Sequence, residues 1–276
     1  MIPKKIHYIW ISSTKNAAKP ENIERCLQSW KKVLLDYEIV EWNESNLPIE
    51  EFVYAKEAYE QKKWAFVSDF FRLWVLEKYG GIYLDTDVVF YSTLDPFLDN
   101  RLFLGTEFTD QISTHIIGAE AHHPFLKSCL DYYENRHFVV DGENDMTPNS
   151  CIMTHIFIQK YGYKGELVRF DGKPSVFDDL VIYPDSYFMI NTYDGCNVCV
   201  HEQNGSWRNA GAKNPVLEEV MESYFWKKFC RKTVFSFGLV KKWVYLLLPM
   251  WAIVLYSKHS AKIKNNKRAA KVKWKV

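Results

Sequence analysis

No aspartate or glutamate occurs between Lys227 and Val276, although that stretch holds 14 lysines and arginines. The remaining 21 of the 35 basic residues face all 34 acidic ones within residues 1–226. An acidic body of net charge −13 is therefore joined to a strongly basic end, and the formal total of +1 hides both. Asymmetry of this kind points to a surface-binding segment. A long apolar run is also missing. Trp243–Tyr256 is apolar over 14 residues but interrupted by Pro249, short of the roughly 20 that span a bilayer. Glycine and proline are sparse, at 12 and 10 residues, and 47% of the chain is hydrophobic, which excludes a fibrous or disordered protein. The six cysteines (Cys26, Cys129, Cys151, Cys196, Cys199 and Cys230) show no framework spacing. They read as reduced thiols of a cytosolic compartment. Lys4 and Lys5 are not followed by a long apolar stretch, so the start reads as a first β-strand and not as a secretory leader.

What is present is an α/β alternation without internal repeats. Ile6–Ile11 reads as a strand and Ser12–Pro20 as a loop. Asn22–Leu35 reads as a helix on the spacing of Ile23, Cys26, Leu27, Trp30, Val33 and Leu34. Tyr37–Trp42 reads as a second strand. The order implies an α/β domain with a largely parallel sheet. Residues 50–79 read as a long helical region, strongest over Lys63–Tyr79 and stopped by Gly80-Gly81. Ile82–Leu84 is a short buried strand, continued after a bend by Val88–Tyr91. Further strands are expected at Leu102–Thr106, Ile112–Ile117, Val168–Phe170 and Leu180–Tyr183, and helices at His123–Tyr133 and Cys151–Tyr161.

Asp85-Thr86-Asp87 sits at the carboxyl end of the Ile82–Leu84 strand, where open α/β sheets bind ligands. Two carboxylates near one point suit a hard divalent cation, which can offset charge on a departing diphosphate. A bare Asp-x-Asp also serves simply to solubilise a strand end, so the preceding helix, glycine pair and apolar strand give it its weight. Asp69 and Arg72 lie three residues apart on one helical face. On a surface they would form an ordinary ion pair. Here Phe66, Val67, Phe70 and Phe71 surround them, so both need partners, and a polyhydroxylated ligand supplies them.

The segment Lys63–Asp87, KWAFVSDFFRLWVLEKYGGIYLDTD, resembles the DXD-containing sugar-transferase family. That family includes bacterial capsular-polysaccharide synthesis proteins, yeast α-1,6-mannosyltransferase-like enzymes and, remotely, clostridial glucosylating toxins. Ile2–Trp10, Ser29-Trp30, Tyr37-Glu38 and Trp42-Asn43 are similar to its opening, and the likeness spans roughly residues 1–210. The resemblance implies a GT-A-like fold, a Rossmann-like mixed sheet flanked by helices. It also implies a nucleotide-sugar-dependent hexosyltransferase, metal-dependent and retaining. Asp85 and Asp87 match its metal-binding carboxylates, with Asp85 also reaching the ribose or sugar. Asp69 and Arg72 match its sugar-binding pair. Trp10 matches an aromatic residue that stacks on the nucleobase, and a core tryptophan at a strand end is the alternative. His201 to Trp207 resembles the closing His-x-x-x-Gly-Ser-Trp element. His201 would then complete the Mn²⁺ (or Mg²⁺) site, while Ser206 and Trp207 would hold the diphosphate. Many members have His-His where this chain has His201-Glu202, which leaves the role of Glu202 open.

Other polar residues carry less. Asn149 or Ser150 would cap the helix that follows, although the family has functional polar residues in a comparable region. Glu107 could face an acceptor. Cys196-x-x-Cys199 stands without a second pair and is assigned no metal.

The chain thus divides into a catalytic domain over 1–226 and a basic, apolar, helical membrane-associating tail over 227–276. Trp243, Leu246, Leu247, Leu248, Met250, Trp251 and Ile253 favour an anionic membrane surface over nucleic acid. The expected function is transfer of a hexose from a nucleotide-sugar, a UDP-sugar first, to a glycan or lipid-linked oligosaccharide. The expected setting is capsular or surface polysaccharide synthesis on the inner face of the cell membrane. Two competing readings are a haloacid-dehalogenase-type phosphatase using Asp85 and Asp87 with Asp178-Asp179, and a non-catalytic glycan-binding protein at the membrane.

Overall fold

The computed structural model describes residues 1–12, 18–107, 111–163, 173–189 and 197–202, all within one compact unit. The chain opens as a β-α-β unit. Strand β1 (Lys5–Ile9) is followed by α1 (Glu21–Val33), which turns Ile23, Cys26, Leu27 and Trp30 inward. Strand β2 (Glu38–Trp42) then returns parallel to β1, from Lys5 opposite Glu38 to Ile9 opposite Trp42. The expected helical region of residues 50–79 is two helices, α2 (Val53–Glu60) and α3 (Trp64–Tyr79), separated where Lys62 takes a positive φ of 55°. Burial explains the break. Helix α2 buries only Tyr54, Ala55 and Ala58, whereas α3 is apolar nearly all round and buries eight residues. One straight helix could not both skirt the surface and cross the core.

Strands β3 (Gly81–Leu84), β4 (Val88–Phe90), β5 (Leu102–Glu107) and β6 (Gln111–Ala119) come next, then α4 (Pro124–Asp131). Strands β7 (Val139–Val140) and β8 (Glu143–Asn144) form a short pair before α5 (Asn149–Tyr161). After these come β9 (Ser175–Val176), β10 (Val181–Tyr183), α6 (Asp185–Phe188) and β11 (Cys199–His201). The seven-stranded sheet has the order β2-β1-β3-β6-β5-β10-β9. It is mixed: β2, β1 and β3 are parallel, β5 is parallel to β10, and β6 runs antiparallel between β3 and β5. Alternation along the strands feeds two apolar clusters. Tyr83, Leu102 and Leu104 face α2 to α5, while Ile82, Leu84 and Phe103 face α1 and α6.

Two expectations change here. Val88–Phe90 does not extend the strand before it but pairs with β11 in a separate two-stranded sheet. Asn149 does not cap α5; it is the helix's first residue, with Pro148 in the cap position. The strand expected at Val168–Phe170 and the tail 227–276 lie outside the described residues. Among the described residues no helix is long and apolar enough to cross a membrane.

The turn into β3 needs its glycines. Gly80 and Gly81 have φ of 63° and 100°, and a Cβ on Gly81 would lie 2.6 Å from the Lys5 carbonyl oxygen. His7 ties this turn down. Its Nε2–H donates to the Gly80 carbonyl at 2.9 Å, and its Nδ1 accepts from the Trp42 indole N–H at 3.0 Å. Burial lowers His7 from 6.5 to about 4, so the fold holds it neutral. As pH falls from 6.5 toward 4, the unfolded chain takes up a proton that the folded chain refuses, and stability drops. The His7 share of this loss is about 2 kcal/mol between pH 7 and pH 5. Urea unfolding at those two pH values should show a smaller acid-side loss for His7→Gln than for wild type.

Candidate active site and cation centre

The link Asp85-Thr86-Asp87 joins the last strand of the β1–β3 group to the small β4–β11 sheet. Pairing within that small sheet sets His201 opposite Val88, and the Glu202 N–H donates to the Asp87 carbonyl at 2.9 Å. Residues distant in sequence thereby meet: one ligand atom from each of Asp85, Asp87 and His201 lies within 4.8 Å of the others. His201 Nε2 is 3.1 Å from Asp87 Oδ1. Burial alone would lower His201, but the hydrogen bond and charge of Asp87, with Asp85 beyond, raise it above 6.5. Two carboxylates and one imidazole are a donor set that suits Mn²⁺ and is compatible with Mg²⁺. The donors converge within one coordination sphere, so the residues present fit the ion.

Arg72 is the centre of the adjoining network. Though only 4% exposed, it has partners on every side. Its Nη2 lies 2.8 Å from Asp69 Oδ1 and 3.4 Å from Asp85 Oδ1. Its Nη1 donates to the Thr114 carbonyl at 2.7 Å, and its Nε to the Ser68 carbonyl at 3.2 Å. The guanidinium carbon sits 4.7 Å from the Tyr83 ring centroid, and the Tyr83 hydroxyl donates to Asp85 Oδ1 at 2.8 Å. The expected Asp69–Arg72 pair on one helical face is therefore present, and the fold brings it to Asp85. With these partners, Arg72 holds Asp85 in place rather than pointing free toward a ligand.

Burial pushes Asp69 up to about 6, with Arg72 opposing the shift. Asn149 Nδ2 donates to the Asp69 carbonyl at 2.8 Å, which is the work its side chain does in place of capping α5. Glu202 also finds its role. Both its oxygens accept from Arg25 Nη2, at 2.6 and 2.7 Å, so it clasps α1 and stands outside the group formed by Asp85, Asp87 and His201.

Three participants are not among the expected site residues. Thr114 and His115 lie in β6 where its register with β5 shifts: Leu104 faces Ile117, but Gly105 faces Ser113. The displaced stretch turns the Thr114 carbonyl to Arg72 and the His115 carbonyl to the Asp85 N–H, at 2.8 Å. Bulges of this kind are common beside active sites. Burial first, and then His201, push His115 well below 6.5. Tyr83 is the third; it lies within the Lys63–Asp87 segment, one residue from the end of β3, and the structure puts it on the α3 side of the sheet.

The remaining expected residues are placed as follows. Trp10 follows β1, half-buried, with its backbone N–H on the Trp42 carbonyl at 2.8 Å. Lys19 Nζ lies 5.7 Å from the Trp10 ring centroid and 2.8 Å from Glu41, whose carboxylate also accepts from the Tyr8 hydroxyl. Ser206 and Trp207 lie outside the described residues, as does Cys196. The Cys199 thiol is buried and donates to the Phe188 carbonyl at 3.4 Å. Glu107 is half-buried at the end of β5. Asp179 is taken up elsewhere: it accepts from the Tyr161 hydroxyl at 2.8 Å, and its carbonyl lies 2.9 Å from His123 Nε2. The metal-ligand arrangement that a phosphatase would need with Asp178-Asp179 is thus not formed among the described residues. Replacing Arg72 by methionine would leave the half-buried carboxylates of Asp69 and Asp85 without their guanidinium. Urea denaturation should show a loss of about 3 kcal/mol or more, with Arg72→Lys losing less.

Several known proteins resemble this chain over part of its length. Residues 20–104 match the family described as a glycosyltransferase sugar-binding region containing a DXD motif. The inositol phosphoceramide mannosyltransferase 3 of Schizosaccharomyces pombe is 33% identical over 135 residues, 45% of this chain and 35% of that protein. The human alpha-1,4-N-acetylglucosaminyltransferase is 36% identical over 74 residues, 26% of this chain and 21% of that protein. The chain therefore spans 35% or less of the length of these two relatives. Among solved structures, the PaToxG glycosyltransferase overlays 58% of this chain and 70% of its own, with 20% identity and a TM-score of 0.43. The match to that family model spans residues 20–104, and Asp85-Thr86-Asp87 is an Asp-x-Asp within it.

Proposed function

We propose that this protein transfers a hexose from a nucleotide-sugar, a UDP-sugar first, to a hydroxyl of a glycan or lipid-linked acceptor on a GT-A-like scaffold. The observation that carries this reading is the convergence of Asp85, Asp87 and His201 beside the Asp69–Arg72 pair. A divalent cation held there supplies electrostatic compensation for a departing nucleoside diphosphate. The chain's own residues do the rest. Arg72 and Tyr83 fix the Asp85 carboxylate, so that its geometry is set before a donor arrives. Asp69 offers an acceptor oxygen for sugar hydroxyls. Trp10 presents a flat ring for a nucleobase, and Ser206 and Trp207 would donate hydrogen bonds to the diphosphate. No side chain is assigned as a covalent nucleophile.

Two observations support a lipid-borne acceptor in surface or capsular polysaccharide synthesis. One relative is named for a lipid acceptor, inositol phosphoceramide. The other is the apolar–basic segment 227–276, whose tryptophans, leucines and lysines suit the interface of an anionic membrane. We read that segment as a tail that holds the catalytic domain, residues 1–226, at the cytoplasmic membrane face.

Calorimetry and hydrolysis assays with a panel of nucleotide-sugars and Mn²⁺ test the activity. One nucleotide-sugar should bind in a metal-dependent way, and Asp87→Ala should lower kcat/KM for its turnover by roughly a hundredfold or more. Donor-independent phosphate release, or glycan binding without any donor interaction, would sink the proposal. Flotation with liposomes tests the tail. The full chain should rise with anionic vesicles and stay behind with neutral ones, while a chain ending at residue 226 should rise with neither.

A further inference from the structure

We propose that His115 is a positioning residue for the cation centre, holding the His201 imidazole in its ligating orientation by stacking against it. The inference rests on the reading of Asp85, Asp87 and His201 as cation ligands. A metal-ligating histidine ordinarily donates its second ring N–H to a carboxylate or carbonyl, and that bond fixes the ring's orientation. His201 has no such partner among the described residues. Its Nε2 faces Asp87, while its Nδ1 is buried without a hydrogen bond. Its strand is only three residues long; it pairs with β4, and on the other side the His201 N–H meets the Met189 carbonyl at 3.3 Å, which anchors the main chain but not the ring. Something else must set the plane of the ring.

His115 supplies that constraint. It is 2% exposed, and its ring centroid lies 4.5 Å from that of His201 at an interplanar angle of 16°. His115 is itself anchored. Its Nε2 lies 3.0 Å from the Phe188 carbonyl; a carbonyl only accepts, so that nitrogen carries the proton. The backbone of the same residue does a second task, since its carbonyl accepts the Asp85 N–H at 2.8 Å. One residue in the displaced stretch of β6 thus fixes Asp85 through its main chain and His201 through its ring. In this way the large sheet and the small sheet are brought to one ion.

Two substitutions separate stacking from packing. His115→Leu fills similar volume without a flat face, and His115→Phe keeps the flat face. Both lose the bond to Phe188 and both keep the carbonyl that serves Asp85, so neither effect distinguishes them. Mn²⁺ affinity, read from the electron paramagnetic resonance of free Mn²⁺ without nucleotide-sugar, should weaken about tenfold in His115→Leu. In His115→Phe it should stay within about threefold of wild type. Circular dichroism would confirm that both are folded, and His115→Met, also lacking a flat face, replaces the leucine variant if that does not fold. A leucine (or methionine) variant that binds Mn²⁺ as tightly as wild type, or a phenylalanine variant weakened equally with it, overturns the inference. His201→Ala separates the two levels of the reading. If wild type binds no Mn²⁺, or His201→Ala binds it as well as wild type, the cation-ligand reading falls and the inference with it. If those two behave as required while His115→Leu matches wild type, only the inference falls.

Discussion

A guanidinium buried in a protein interior demands anions and carbonyls on all its edges, and satisfying Arg72 fixes the relative placement of three elements. Its stem comes from α3, its anionic partners are Asp69 on the same helix and Asp85 at the end of β3, and its third edge meets the Thr114 carbonyl on β6. Removing any one of these would leave charge or a donor uncompensated in a place that water reaches poorly. The face of Tyr83 closes the remaining side, and its hydroxyl passes the constraint on to Asp85. The position of the first DXD carboxylate therefore follows from the fold of the core rather than from the loop that carries it.

The second half of the centre is built on a weaker principle. Among the described residues, strands β4 and β11 are three residues each and form a sheet of two, yet their register sets His201 beside Asp87. Such a small sheet gains little stability from its own ladder. It is braced from outside by the Trp30 indole, which donates to the Val88 carbonyl at 2.7 Å, and by the Arg25–Glu202 ion pair reaching from α1. Glu202, next to His201, thus belongs to this brace.

How much of this could be read from residues alone depended on the range of the interaction. Helix α3, the Gly80-Gly81 stop, the apolar strand β3 and the Asp pair after it are contiguous. Each is governed by local pattern: apolar residues at helical spacing, glycines where φ is positive, and a buried strand with no polar face. The meeting of Asp69 and Arg72 followed from helical spacing. His201 and its company with Asp85 and Asp87 came through a motif, but the pairing of β11 with β4 that brings it there did not, because a three-residue strand has no periodicity to reveal its register. His115 and Thr114 were silent for a similar reason. Their roles arise from a shift between β5 and β6 that no single strand's sequence encodes. Asn149 misled because a polar residue at a helix start is usually a cap, and here the cap position was taken by Pro148.

The charges of the site point the same way as its geometry. Asp69 and Asp85 flank the guanidinium of Arg72, and half-buried Asp87 lies with Asp85 and His201. The protein's own responses share one sign. Burial moves Asp69 up to about 6, and Asp87 draws His201 upward against the burial that would lower it. Both shifts favour taking up protons where anions crowd, as low-dielectric surroundings require. A divalent cation offers the same compensation in one step, at the point where the two DXD carboxylates and the imidazole converge. Under the proposed function, a diphosphate, itself anionic, would meet the carboxylates of Asp85 and Asp87 there. On the same proposal, a cation held by Asp85, Asp87 and His201 would also ease the approach of an anionic donor.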